Sequence, residues 1–472
     1  MDTATFINGS KESPTIDATI FRAYDIRGLV GENLTPEIVH AIGGAFGSEL
    51  RERSDNHTVT IGRDGRASSP GYLVALAEGL RQSGVDVINL GLVPTPLVHY
   101  GASKRNTGAA IVVTGSHNPP SYNGLKFALG HLPYSGRALL RLRERIVRGG
   151  FTSGEGSLHN YDVLDEYVRE VASQIQLAKP LKVVIDCGNG ASGVLSRKLF
   201  EAIGCDVAVL YEEVDSTFPN HHPDPAVPEN LEDLRRAVIE HHADAGIAFD
   251  GDGDRVGVVT ETGENVWADR LLALFARDVL AHKPGSTVVF DVKCGVSVRE
   301  TVASSGGQVI VSPTGHTNIK QHVCQHSAML GGEFSGHFCF PDRWYAIDDA
   351  AYAGTRFLEL VSRAPRASEL FQDIVRRPAT PEILIPIEDH RKFKIVENLA
   401  RCASFNGGKA DNTDGIRIDF EDGWGLVRAS NTSPKLSLRF EAETKSALAR
   451  ITCLFKRELE RIEPDLALQD WP

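Results

Sequence analysis

The sequence predicts an α/β protein of four segments, three built alike and followed by a smaller α+β segment. Three observations carry this reading. Short apolar strands alternate with helix-spaced stretches from residue 59 onward, the pattern of sheets flanked by helices. LKVVIDCGNGASG, from Leu181, and STVVFDVKCGVSVRETV, from Ser286, run strand, glycine loop and helix in the same order, which reads as repetition of one unit. Past residue 382 short strands are closed by one long helical stretch.

In chain order, TIFRAYDIRGLVG (19–31) is a compact charged segment with a strand-like start. VTIGRDGRASS (59–69) gives a strand and a glycine loop, GYLVALAEGLRQSG (71–84) a helix ending at glycine, and VDVINLG (85–91) the next strand. A buried strand in NTGAAIVVTGSHNPPSYNGLKF (106–127) empties into a Gly/Asn/Pro loop. The second unit runs from the 181 strand through helix SRKLFEAIG, strand CDVAVL and helix NLEDLRRAVIEHH. The third repeats the pattern through 286–313, placing Asp186 and Asp291 at comparable strand ends. In the last segment, Asp422-Gly423 is read as a hairpin turn between DGIRIDF and WGLVRAS, before the helix ALARITCLFKRELERIE.

Composition narrows the function. A chain of 472 residues, 42% hydrophobic and 24% charged, suits a soluble protein of two to four domains. A formal charge of −12 argues against a general binder of nucleic acid or anionic membrane and leaves room for a local basic cleft. Seven cysteines without a C-x-x-C pair read as free thiols in a reducing compartment. His322, Cys324 and His326 are spaced by two in a helical segment, so they do not share a face and are not read as a metal site. No basic stretch precedes an apolar core at the N-terminus, and no segment is long enough to span a bilayer, so the cytoplasm is the expected location.

The stretch IAFDGDGDRVGVV (247–259) carries the most chemistry. Asp250, Asp252 and Asp254 alternate with glycines between two apolar runs, so three carboxylates can converge on one hard cation. An acidic surface turn is one alternative. An EF-hand loop would also use Glu261 at its twelfth position, but Arg255 stands where its sixth-position glycine belongs. A phosphatase with a strand-end aspartate nucleophile leaves Asp254 and Arg255 to be explained separately. Mg²⁺ held against a phosphate, with Arg255 adding positive charge, uses all of these residues.

Three other loops have phosphate or sugar chemistry. TGSHNP (114–119) sets Ser116 beside His117 after an apolar strand, without a G-x-S-x-G elbow. Being adjacent, their side chains need not meet. Lys126 follows near the end of the same loop, where its ammonium can turn back toward Ser116. RASNTSP (428–434) groups Arg428, Ser430, Asn431 and Thr432 as an anion cradle, or as a polar hairpin loop. GGEFSGH (331–337) offers Glu333 and Ser335 to vicinal sugar hydroxyls. Lys293, His316 and His337 add donors, or stabilise their own loops.

In YDIRG (24–28), TGSHNPPSYNGLK (114–126), DGDGDR (250–255), GEFSGH (332–337) and RASNTSP (428–434), the chain resembles the α-D-phosphohexomutase superfamily, above all its bacterial phosphomannomutase/phosphoglucomutase branch. The resemblance implies four domains around a central cleft: 1–163 bearing a phosphoserine, 164–265 binding metal, 266–378 recognising sugar, and 379–472 binding phosphate. It implies that Ser116 carries the phosphoryl group and, with Asp250, Asp252 and Asp254, ligates Mg²⁺. Lys126 would be the general acid/base, with Arg27, His117 and Arg255 around the reacting phosphate. Glu333 and Ser335 would bind sugar hydroxyls, with Tyr24 and His337 also binding substrate. Arg428, Ser430, Asn431 and Thr432 would hold the distal phosphate, with Lys293 and His316 nearby. Phe334 stands where glucosamine-phosphate mutases tend to carry glutamine, and Cys294-Gly295 departs from the branch's usual Cys-Ser.

The implied reaction interconverts the 1- and 6-phosphates of mannose and glucose through hexose 1,6-bisphosphate, with the last domain as the moving part. Hexose phosphates are the expected partners of a monomer. Alternatives are a phosphoglucosamine mutase, a phosphoserine phosphatase-like hydrolase and a non-catalytic phosphosugar-binding regulator.

Overall fold

The structure, a computed structural model, describes residues 16–431, 433–466, 468 and 471. Its first three sheets repeat one topology. In the first, Thr58–Arg63 lies parallel to both Asp86–Leu92 and Ala109–Val113, and Tyr122–Leu129 then pairs antiparallel with Ala109–Val113. In the second, Leu181–Asp186 sits parallel between Cys205–Leu210 and Ala245–Phe249, and Val256–Thr260 returns antiparallel. In the third, Thr287–Asp291 sits between Gln308–Ser312 and Leu330–Gly332, and Phe338–Cys339 returns.

This repetition fixes where function can lie. The link between the last parallel strand and its antiparallel return is 114–121 in the first unit, 250–255 in the second and 333–337 in the third. These links contain Ser116, the three aspartates and Glu333, so equivalent edges of three sheets supply three different chemistries. The fourth unit is an antiparallel sheet in the order Ile383–Pro386, Lys435–Ala442, Gly423–Ala429, Ile416–Phe420, Lys409–Asp411. The helix Lys445–Ile462 packs on it, started by the Thr444 hydroxyl, which accepts from Ala447 N at 3.1 Å.

The units are joined by an extensive apolar core at one seam and by a small apolar cluster with charged groups at another. A single core runs through the second and third sheets and takes in the helices Thr95–Arg105 and Leu164–Gln174. At its centre Trp344 stacks between Tyr100 and Tyr352, at centroid distances of 5.7 and 4.7 Å. Asp349 accepts from Tyr167 Oη at 2.8 Å and Trp344 Nε1 at 3.0 Å, so the buried polar edges of the cluster are paired. The fourth unit has its own core and meets the third through a small apolar cluster of Val292, Trp424 and Leu426 and through polar contacts. Arg417 donates to the Val292 carbonyl at 2.8 Å, and Arg439 pairs with Asp269 at 2.8 Å.

Several sequence expectations change. In residues 19–31 the strand lies in the second half, Ile26–Leu29, while Asp17 caps a short 3₁₀ turn over Ala18–Ile20. The hairpin turn is Glu421-Asp422, because Gly423 already pairs with Phe420. Lys126 belongs to the strand Tyr122–Leu129 rather than to the loop, paired in register with Val112. Thr432 lies outside the described residues. Among the described residues no helix is long and apolar enough to cross a membrane.

Trp344→Ala should remove the centre of the seam between the first and third units. A loss of about 3–5 kcal/mol in unfolding free energy is expected for a large buried aromatic, measured by denaturant titration with fluorescence detection.

Candidate functional site

Ser116 sits in a strained backbone. Its φ of +49° lies in the left-handed region, uncommon for a residue with a β-carbon and sustained only where surroundings enforce it. The surroundings are specific. Ser116 N donates to Thr114 Oγ1 at 2.8 Å, and Gly115 N donates to Asp64 Oδ2 at 3.0 Å. Arg66, itself paired with Asp64, donates to the carbonyls of Ser116 at 2.8 Å, Pro119 at 2.6 Å and Tyr122 at 2.9 Å. Gly251 completes the fit, since a β-carbon there would stand 2.6 Å from the Ser116 carbonyl oxygen. The glycine spacing of the aspartate loop thus serves close approach to the serine loop.

The serine hydroxyl faces the carboxylates. Ser116 Oγ donates to Asp250 Oδ2 at 3.1 Å and lies 3.2 Å from His117 Nδ1, so these neighbouring side chains do meet. Asp250, Asp252 and Asp254 are buried, each with an oxygen within 4.8 Å of the others. Asp250 Oδ1 accepts from the backbone N–H groups of Asp254 and Arg255 at 3.0 and 3.1 Å. Lys126 Nζ donates to Asp252 Oδ2 at 2.8 Å and Asp254 Oδ2 at 2.5 Å, and Thr95 Oγ1 donates to Asp252 at 2.6 Å.

Charge is divided unequally in this cluster. Burial and the two neighbouring aspartates push Asp250 well above the usual carboxylate range. Burial opposes ionisation of Asp252 and Asp254, as the Asp254 charge does at Asp252, but Lys126 together with the Thr95 hydroxyl at Asp252, and with His337 and Arg255 at Asp254, holds both low. The same carboxylates overcome the burial of Lys126 and keep it charged. A divalent cation fits the donor set: three oxygen ligands on one short loop, with Asp252 Oδ1 buried and without a hydrogen-bond partner among the described residues.

Cationic groups line the serine side. Arg27 donates to Asn118 Oδ1 at 2.7 Å and to the Gly115 carbonyl, and is oriented by Asp25 at 2.8 Å. Among the described residues Arg255 has only a 3.9 Å charge contact with Asp224, and its buried Nε has no partner, which leaves a guanidinium to meet an anion. Burial, with Arg255 and Arg27 nearby, drives His117 far below the ordinary histidine value, so it is neutral.

The third unit brings Glu333, Ser335 and His337 together. His337 Nδ1 lies 2.7 Å from Glu333 Oε2, which also accepts from Ser335 Oγ at 3.0 Å. His337 Nε2 reaches Asp254 Oδ1 at 3.2 Å as a charge contact. Burial opposes its protonation, but Asp254 and Glu333 prevail and raise it to about 10. His316 packs 5.3 Å from the His337 ring and is lowered to about 3 by burial and that cation. Lys293 pairs with Glu382 at 3.2 Å. Phe334 is packed between Trp267, 5.8 Å away between ring centroids, and the Arg439 guanidinium at 3.6 Å.

Across from these, Arg428 pairs with Asp414 at 2.8 Å, Ser430 Oγ contacts Ser433 Oγ at 2.9 Å, and Asn431 Nδ2 donates to Tyr24 Oη at 2.6 Å. Tyr24 Oη in turn donates to the Thr314 carbonyl at 2.5 Å. One phenol therefore joins the first, third and fourth units. Asp64, Arg66, Thr95 and Asp414 were not singled out from sequence. GRDGR after a strand was the available signal for the first two, whereas Thr95 and Asp414 show their relevance only through contacts distant in sequence.

Comparison with known proteins follows the same four units. Family models described as phosphoglucomutase/phosphomannomutase alpha/beta/alpha domains I, II and III match residues 18–148, 165–263 and 267–377, and that family's C-terminal domain matches 392–453. A phosphomannomutase/phosphoglucomutase of Pseudomonas aeruginosa is 46% identical over 456 residues, 96% of this chain and 98% of the relative. A phosphoglucomutase of Neisseria meningitidis is 41% identical, over 96% of this chain and 98% of its own length. The crystal structure of a phosphoglucomutase/phosphomannomutase family protein from Burkholderia thailandensis superposes with a TM-score of 0.90 at 43% identity, covering 96% of this chain and 99% of that one.

Lys126→Met should leave the aspartates without their buried counter-charge. Without divalent cation a loss of about 3–5 kcal/mol is expected, as for other broken buried ion pairs. Mg²⁺ should raise the variant's melting temperature more than the wild type's, measured by calorimetry.

Proposed function

The chain belongs to the phosphoglucomutase/phosphomannomutase family, and on that premise we propose that it interconverts hexose 1-phosphates and hexose 6-phosphates, with mannose and glucose as the sugars. The observation that carries this reading is the strained Ser116, its hydroxyl on Asp250 within a cluster of three buried carboxylates. Phosphorylated Ser116 is the donor. A sugar hydroxyl forms the new P–O bond as the bond to Ser116 Oγ breaks, giving hexose 1,6-bisphosphate. The intermediate reorients in the cleft and its other phosphate returns to Ser116. In the first transfer a net proton passes from the sugar oxygen to Ser116 Oγ, and Lys126, held protonated beside the cluster, is the shuttle. Arg27 and Arg255 carry the charge of the transferring group, and the neutral His117 orients the serine oxygen.

Asp250, Asp252 and Asp254, with the phosphoserine, would hold Mg²⁺. The cation supplies charge stabilisation to the phosphoryl oxygens. Tyr24, Glu333, Ser335 and His337 read the sugar. Arg428, Ser430, Asn431 and Thr432, with Lys293 and His316, receive the non-reacting phosphate, and the fourth unit moves to grip and release it. We set the unit boundaries after residue 163, near 378, and after 266 rather than 265, because Asn265–Val266 pairs with the second sheet. The protein is assigned as a cytoplasmic monomer, supported on location by seven free cysteines.

A substrate panel of mannose, glucose and glucosamine 1-phosphates, with Mg²⁺ and trace hexose 1,6-bisphosphate, tests the reading. Turnover of the first two is expected; preference for glucosamine 1-phosphate would make the enzyme a phosphoglucosamine mutase instead. Ser116→Ala should lower turnover on the order of 10⁴-fold or more with the fold intact, as for removal of other nucleophiles. Arg428→Ala should raise KM for both phosphosugars by roughly 10–100-fold, the loss of one charge-assisted contact. Glu333→Ala should instead act mainly on kcat and shift the mannose/glucose ratio.

A further inference from the structure

Asp291 is fully buried at the end of its strand and reaches three loops at once. Its Oδ1 accepts from Phe334 N at 3.1 Å and from Cys294 Sγ at 3.2 Å, and its Oδ2 accepts from Thr314 Oγ1 at 2.9 Å. Each donor neighbours a residue of the site. Phe334 follows Glu333, Cys294 follows Lys293, and Thr314 precedes Gly315, whose N–H donates to Glu333 Oε1 at 2.5 Å. Glu333 is therefore anchored through two loops that both bond to Asp291. Thr314 also gives its N–H to Asp414 at 3.0 Å and its carbonyl to Tyr24 Oη, two of the contacts between the third unit and the fourth and first.

The first unit contains the same device. Asp64, at the equivalent strand end, accepts from Gly115 N beside Ser116 and pairs with Arg66 two residues on. Asp291 is likewise followed two residues on by Lys293. In the second unit Asp186 bonds Gly188 N at 2.8 Å and His221 at 2.9 Å. These two contacts do not reach the aspartate loop.

We infer that Asp291 is a positioning residue that sets the Glu333 carboxylate and the Tyr24–Thr314–Asp414 seam in register, an inference that rests on the function proposed above. An ionised carboxylate only accepts, so the three donors can share it without conflict. Asparagine has the same shape but turns one acceptor into a donor, so at least one loop loses its hold. A displacement near 1 Å at a reacting group lowers rates on the order of 10²-fold.

The test is a double-mutant cycle on the full-length enzyme with glucose 1-phosphate and mannose 1-phosphate. Asp291→Asn should lower kcat/KM by roughly 10–100-fold, the range for a lost outer-shell partner. In the Glu333→Ala background the same change should cost less than about threefold, since coupled residues are not additive. Thr314→Val removes the Oδ2 contact from the other side and should give the same non-additivity, with Thr314→Ser restoring wild-type rates. This pair decides the matter if Asp291→Asn is unstable. A damaged Glu333→Ala beside a silent or additive Asp291→Asn overturns the inference alone. A silent Glu333→Ala overturns the sugar-loop reading and the inference with it.

Discussion

Three buried carboxylates with oxygens within 4.8 Å of one another set the terms for everything around them. Like charges in a medium of low polarisability repel strongly, and burial alone would drive them toward protonation. The fold answers from three directions. The first unit supplies Lys126 and Thr95, the second its own Arg255, and the third His337. The first three units cannot separate without exposing this charge imbalance. The same arrangement suits a phosphoryl group, whose oxygens need concentrated positive charge held away from water.

The repeated sheet topology is how one chain brings those groups together. Each of the first three units places a loop between its last parallel strand and the antiparallel return. Strand ends are rigid, so a loop of five to eight residues there can carry a precise constellation. Ser116 shows what that rigidity sustains. Its left-handed backbone is held by Arg66, Asp64 and Thr114, and by the close approach of Gly251. The fourth unit differs: it contributes Arg428 and Asn431 from an antiparallel hairpin and meets the third unit through ion pairs, one stacked guanidinium and a small apolar cluster around Trp424.

Much of this was legible in the sequence because the chemistry is local. D-G-D-G-D puts its ligands on one loop, and the strand-glycine-helix repeats of residues 181 and 286 expose the unit before any contact is known. The rest depends on partners far apart in the chain. Arg66 sits in a short glycine loop, yet its donors are taken by carbonyls 50 to 56 residues away. Lys126 was placed in a loop because glycine and asparagine precede it, whereas antiparallel pairing with Ala109–Val113 makes it a strand residue. Tyr24 and Asn431 are separated by 407 positions, and no local pattern reports such a contact. Asp422-Gly423 was misread by one residue because Gly423 is used by the strand and not by the turn.

The central claim is that Ser116 is the group through which phosphate passes. Dephosphorylated enzyme mixed with one equivalent of glucose 1,6-bisphosphate and Mg²⁺, quenched rapidly and mapped by peptide mass spectrometry, tests it most directly. The account predicts close to one phosphate per chain on the peptide containing Ser116, formed as fast as glucose monophosphate is released. Phosphate on another residue, or monophosphate released together with free inorganic phosphate and no labelled peptide, would contradict it.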